Sequence, residues 1–327
     1  LGISTLVFGI IQGAEEGWGS PLIVGSFVAA TALLVAFIAI ERRAAHPMLP
    51  LHFFREKDFT GSVLVLGLLF FSGIVMFFFL TQYFQLIQLR SPFETGLMIL
   101  PNAGAIVIAS GIAQFALGRI GPRKLVATGV AIMALGTALF TGVDASTAST
   151  TLIGYIMVFG FGFGLAAQPL TDTVMAAVPV EDAGIGSAVN DVSRELGSAL
   201  GVAILGSIVS SVYRGNVETD LEGRVPGEVI ELASEGLGVI GVAAQQLPPE
   251  VAGTAISGAN AAFIDAMTSG FWFSVGFLAL GLVVSITMLP DRIRHAQASR
   301  QIGEIDEIET ASAGAPDLVG LAPVGVG

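Results

Sequence analysis

Seven apolar runs, each long enough to cross a lipid bilayer, constrain this chain more than any other feature. They lie near 21–40, 59–84, 94–117, 123–143, 151–174, 184–213 and 264–289. A helix rises 1.5 Å per residue, so about 20 apolar residues cover the roughly 30 Å of hydrocarbon. Only 12% of the 327 residues are charged, against about 25% in a soluble domain. The 42 glycines are expected where membrane helices approach closely. The opening run, "LGISTLVFGIIQG", is too short to cross, at about 12 residues. It has neither an initiator Met nor the charged flank of a signal peptide. The simplest explanation is a chain that begins within a helix, giving eight spans with the first truncated. The expected fold is an all-α polytopic membrane protein.

Orientation follows from Lys and Arg in the connections. "ERRAAHPMLPLHFFREKDF" carries four, "GRIGPRK" three and "DRIRHAQASR" three. The alternate connections are poor in them: "GAEEGWGSP" and "VDASTAST" have none, and Arg90 is alone in its turn. Simple alternation puts every basic connection on one side. That side, and the C-terminus with it, is expected to be cytoplasmic, in the plasma membrane.

Two polar regions stand apart. Residues 214–262 carry seven acids against Arg214 and Arg224 and read as a solvated outside loop with room for short surface helices. The tail from about 296 mixes acids with Gly, Pro and Ala and reads as largely disordered and cytoplasmic. The formal charge of −12 argues against a nucleic-acid partner. With no Cys, disulfides and thiolate metal sites are excluded.

Catalytic chemistry has little to work with. His46, His52 and His295 all fall in basic connections and form no ligand-spaced set. No P-loop pattern occurs, and nothing implies a cofactor or metal. "FGFGFGLAAQP", residues 159–169, has no strand before it and sits within a span. Gly160, Gly162 and Gly164, the outer two forming a G-x-x-x-G pair, are therefore expected to admit a neighbouring helix, and Pro169 to kink or end regular hydrogen bonding. Gly197 and Gly201 form a second pair at the same spacing. Such pairs serve either the sliding helices of a transporter or ordinary helix packing.

The stretch "VNDVSRELGSALG", residues 189–201, sets charge inside an otherwise apolar run. Ser187, Asp191, Arg194, Glu195 and Ser198 recur at three- and four-residue spacings and form one polar stripe on a helix. At a bilayer centre each charge costs roughly 2.5–3.5 kcal/mol on insertion scales, so the groups must pair or neutralise. Arg194 is expected to pair with Asp191 one turn earlier, while one of the carboxylates takes up protons. The stripe is read as reaching toward the midplane. A surface position stays open, because residues 196–213 alone cover about 27 Å. Asp172 is a second candidate, nearer the end of its span. The aromatic run "GLLFFSGIVMFFFLTQYF" is expected to pack or face lipid, leaving Gln82, Tyr83 and Gln85 at its end for directional polar contacts.

Several local patterns occur together. "GAEEGWGSP", a span and "ERRAAHPMLPLHFFREKDF" precede six further spans. "LTQYFQLIQLRSPFETGLMILP" places Tyr83, Gln85, Ser91, Pro92, Gly96 and Pro101 in a Y-x-Q…S-P-x-x-x-G-x-x-x-x-P arrangement. "GRIGPRK" sets Arg119, Gly121, Arg123 and Lys124 in a turn, and "GIGSAVNDVSRELGSALGVAILGSI" carries Asn190, Arg194, Gly197 and Gly201. In combination these resemble the C-terminal part of a drug:proton antiporter with fourteen spanning helices, a branch of the major facilitator superfamily. One departure is local: Gly118 stands where that turn often carries an Asp before its Arg.

The resemblance implies a layout. Residues 1–40 would be an extra helix pair, 41–58 a cytoplasmic linker, 59–290 the C-terminal six-helix bundle and 291–327 a tail. It also implies export of small amphipathic drugs or antibiotics in exchange for protons, with a partnering N-terminal six-helix bundle in the same chain and lipid around both. The alternatives are a solute importer of the same superfamily and a non-transporting structural membrane protein.

Overall fold

A computed structural model describes residues 1–44, 47 and 50–292. The described residues form ten α-helices and no strand. These are α1 (Gly2–Glu16), α2 (Pro21–Glu41), α3 (Lys57–Gln82), α4 (Pro92–Ile120), α5 (Pro122–Leu139), α6 (Ser149–Ala176), α7 (Ala183–Leu221), α8 (Gly227–Glu235), α9 (Leu237–Ala243) and α10 (Pro249–Met288). Seven of them are long and apolar enough to cross a membrane, and they fall on the seven runs. The chain is a multi-pass membrane protein.

Helix starts follow local chemistry. At α2, Ser20 accepts from the Ile23 N–H and Pro21 takes the first helical position, where its missing N–H costs nothing. At α4, Ser91 and Glu94 form a reciprocal capping box, again with Pro first. The "RSPFE" stretch is thus a helix start, preceded by Leu89 at φ 53° and by a π-helical turn over Tyr83–Ile87 that ends α3.

Close contacts at glycines set the register of the bundle. Gly129 meets Ala166, Gly136 meets Phe159 and Gly162 meets Met133; each pair of numbers sums to 295, so α5 and α6 run antiparallel. Gly160 meets Asn102 and Gly164 meets Ile106, a constant offset of 58, so α4 and α6 run parallel. Gly197 lies on the Gly67 backbone and Gly201 on that of Phe71, an offset of 130 that makes α3 and α7 parallel. Gly61 meets Met288 and Gly270 meets Phe79; both pairs sum to 349, so α10 runs antiparallel to α3. Phe71, Phe79, Phe140, Phe159 and Phe271 are all buried in the resulting core. The helix α2 is apolar on every side and mostly exposed, as a lipid-facing helix is.

One expectation is corrected. Residues 214–262 are mainly helical, because α7 continues to Leu221 and α10 starts at Pro249. At 39 and 40 residues, these helices are about 60 Å long, twice the hydrocarbon thickness. Their projecting turns pack around α8 and α9 through buried Val217, Leu221, Val229, Ala233, Ile240, Ala255 and Ala259. The Tyr213 hydroxyl donates to the Ala233 carbonyl at 2.8 Å. Apolar and small residues at three- and four-residue spacing, among the acids, supply this seam. The tail, with His295, and His46 of the linker lie outside the described residues.

Candidate functional site

The small residues of α6 and α7 place the candidate side chains. On α6, Gly160 and Gly164 face α4 while Gly162 faces α5, so one helix is gripped from two sides. On α7, Gly197 and Gly201 lie on α3, and Val189, Asn190 and Ser193 complete that buried face. This contact turns the polar stripe the other way. Ser187, Asp191 and Glu195 are exposed, and Arg194 and Ser198 are half-buried. Asn190 therefore points into the protein. Its Oδ1 has no hydrogen-bond partner among the described residues, and neither has that of buried Asn102 on α4, which abuts Gly160.

Arg194 does not pair with Asp191, contrary to the expectation from spacing. Its guanidinium lies over the Phe70 ring, 4.5 Å from the centroid, a cation–π contact. Phe70 in turn meets Phe163 edge-on, with centroids 5.3 Å apart. Phe70 is near the middle of Lys57–Ile87 and Phe163 near the middle of Ser149–Ala176. By the α3–α7 offset of 130, the Arg194 backbone is level with residue 64, so the guanidinium and the ring meet across backbone levels six residues apart. The aromatic face, available across the helix contact, competes with a carboxylate that is itself exposed.

At one end of the bundle the basic connections converge. Gly121, at φ 76°, makes the bend between α4 and α5 and touches the Asp291 backbone. Only glycine combines that dihedral with that approach. The Arg123 N–H donates to the Pro290 carbonyl at 3.2 Å, its Nε to the Leu289 carbonyl at 2.7 Å, and its Nη1 is 3.2 Å from Asp291 Oδ1. Gly118 brings no acid to this turn, and the acid that meets Arg123 comes from beyond α10. Arg119, Lys124 and Asp172 line a cavity beside this turn, and Asp172 accepts from Gln168 Nε2 at 3.2 Å.

At the opposite end, the π-helical turn is tied to the α5–α6 connection. The Tyr83 hydroxyl donates to the Asp144 carbonyl at 2.6 Å. Gln88 donates to the Thr147 carbonyl at 3.1 Å and accepts from the Ser149 hydroxyl at 2.8 Å. Tyr83 is buried and committed to this latch, whereas Gln82 and Gln85 remain half-buried. The Asp144 carboxylate is held below the usual range by the Ser146 hydroxyl, then by Thr147 and the Ser146 N–H.

The family profile described as Major Facilitator Superfamily matches residues 2–202, which takes in α1 to α6 and the charged stripe of α7. The chain belongs to the major facilitator superfamily. Among relatives of this facilitator chain is the multidrug resistance protein Stp of Mycobacterium tuberculosis, 31% identical over 69% of this chain and 42% of the relative. The multidrug efflux pump LfrA of Mycolicibacterium smegmatis is 30% identical over 79% of this chain and 51% of its own. The puromycin resistance protein pur8 of Streptomyces alboniger is 34% identical over 70% and 46% respectively. The chain spans about half the length of these curated relatives.

Sequence reasoning about the facilitator stripe missed Phe70, Asn102, Gln88 and Asp291. Each lies against a residue distant in sequence, although Gln88, a polar residue at the end of an apolar run, offered a usable signal. Asp291 had one as well: it directly follows the last span, level with a basic turn.

Proposed function

We propose that this chain is the drug-exporting, C-terminal portion of a proton-coupled antiporter of the plasma membrane, acting on small amphipathic drugs or antibiotics. Its basic end would face the cytoplasm, in keeping with the Lys and Arg distribution. The names of the relatives, multidrug resistance and efflux proteins and a puromycin resistance protein, support export of such compounds. The single observation that carries the reading is Arg194, held within a spanning helix over the Phe70 ring and without a carboxylate partner among the described residues. A permanently charged group kept there at a cost of several kcal/mol needs a function.

In this reading Asp191 and Glu195, on the uncovered face of the same helix, supply the protonatable groups. The residue that answers them belongs to a second six-helix bundle. Proton uptake by either acid would lower the charge on the stripe and let that bundle move away; release would draw it back. Gln82, Gln85 and Asn190 are candidates along the substrate path, with Asp172 a gating candidate at the basic end.

The test uses the complete transporter, exporting a lipophilic dye from vesicles. Arg194→Ala is expected to abolish export while the protein still inserts. Asp191→Asn and Glu195→Gln are expected to shift the pH dependence of export. Normal export by all three variants across pH would remove the stripe from the mechanism. An importer reading predicts inward substrate flux in the same vesicles, and a structural protein predicts none.

A further inference from the structure

A serine hydroxyl buried on a spanning helix can turn back to the carbonyl four residues earlier. Ser62 on α3 donates in this way to the Asp58 carbonyl at 2.8 Å, and Ser285 on α10 to that of Gly281 at 2.7 Å. Ser72 and Ser274, on the same two helices, do not. Both are 0% exposed, and neither hydroxyl has a hydrogen-bond partner among the described residues. Ser72 is the central residue of Lys57–Ile87, at a depth where an unmet polar group is costly.

Helix register brings these two side chains together with a third. Gly61, Leu68 and Phe79 of α3 meet Met288, Gly281 and Gly270 of α10, and each pair sums to 349. Ser72 comes four residues after Leu68 and seven before Phe79, so it lies on that seam. Ser274 comes four after Gly270 and seven before Gly281, on the facing seam. It is level with residue 75, about 4.5 Å from Ser72 along the axis. Val130 of α5 meets Gly281, and Phe140, directly after α5, meets Phe271 with ring centroids 5.4 Å apart; both pairs sum to 411. Thr137, seven residues after Val130, is therefore level with Ser274 on the face turned to α10. It too is 0% exposed. Its hydroxyl donates to the Met133 carbonyl at 3.0 Å, which leaves its oxygen able to accept.

The spans that carry these hydroxyls hold no charge: residues 59–89, 125–143 and 266–290 contain no Asp, Glu, Lys, Arg or His. An ion would find no counter-charge on these helices. The group that fits is small and neutral, and it both donates and accepts. Gly73, beside Ser72, is buried, yet a Cβ placed on it would meet no heavy atom within 4 Å, so the core there has room. We propose that Ser72, Ser274 and Thr137 bind one water molecule that ties α3, α5 and α10 together at mid-depth. It accepts from both serine hydroxyls and donates to Thr137 Oγ1, and about three hydrogen bonds are usual for a buried water. All three side chains are enclosed by helices of this chain, so the site depends neither on a second bundle nor on the transport reading.

The test is a density map of the complete protein in lipid, at a resolution that shows ordered water. A peak is expected within hydrogen-bond reach of Ser72 Oγ, Ser274 Oγ and Thr137 Oγ1. The Ser72→Ala/Ser274→Ala double variant should lose it, and Thr137→Ser, which keeps the hydroxyl, should retain it. Thermal unfolding supplies a second readout. Ser72→Ala and Ser274→Ala should each lower the midpoint by about 2 °C. The first substitution already breaks the water's site, so the double variant should unfold close to either single one. Absence of the peak, with Ser72 and Ser274 turned to the Leu68 and Gly270 carbonyls of their own helices, overturns the proposal. A direct bond between the two serines, or contacts at metal-ligand distances, overturns it as well. Additive losses from the two alanines do so too, because independent hydroxyls would give them.

Discussion

Asp144 makes the clearest residue-scale prediction outside the spans. Hydrogen bonds from Ser146 and Thr147 lower its pKa in the folded chain. Its contribution to the loop is then fully present above the ordinary aspartate range and is lost as pH falls through the lowered value. A carbon-13 titration of this carboxyl should give a midpoint below that of an unstructured aspartate, and Ser146→Ala should move it upward. An ordinary midpoint in the parent protein would contradict the hydrogen bonding described. Nearby, Tyr83→Phe removes the donor to the Asp144 carbonyl and should cost about 1 kcal/mol in unfolding measurements. The aromatic packing of the ring would be retained.

At the scale of the element, helix contacts leave no space for side chains. A Cβ at Gly162 would lie 2.6 Å from the Gly129 carbonyl and 2.7 Å from the Met133 Cα; one at Gly197 would strike the Gly67 backbone. Overpacking of well-fitted side chains costs about 1–3 kcal/mol; here the obstacle is backbone, which cannot rotate away. Gly162→Leu and Gly197→Leu should therefore each lower stability in detergent by about 3 kcal/mol or more. Gly104→Leu, which meets nothing within 4 Å, should be tolerated. Comparable thermal unfolding for all three would show that the register deduced from these contacts is wrong.

For the whole molecule, the decisive property is which end lies in the cytoplasm. The chain has no Cys, so single cysteines report without background. Ser146→Cys, exposed in the α5–α6 connection, should react with a membrane-impermeant thiol reagent added to intact cells. Glu56→Cys, exposed in the basic connection before α3, should react only after the membrane is opened. The reverse pattern would invert the transport direction proposed.

The sequence by itself determined the class and the spans, because crossing hydrocarbon demands length and apolarity that no tertiary contact can replace. It also determined the alternation of basic connections and the glycine pairs at which helices would meet. It could not determine which helix each glycine would meet, since small residues fit many partners. Tertiary structure turned Gly160 and Gly164 toward α4, and Gly197 and Gly201 toward α3. Through that choice it buried Asn190 and exposed Asp191 and Glu195. Helical spacing had suggested an Arg194–Asp191 pair, because neighbours on one helix are the only partners a sequence displays. The aromatic ring that took the guanidinium belongs to α3, 124 positions away in the chain. The acid that meets Arg123 likewise comes from residue 291. Local energetics are legible in sequence because their partners are adjacent, whereas charge pairing across a bundle depends on the rotation of each helix about its axis. That rotation is set only when all the helices pack together.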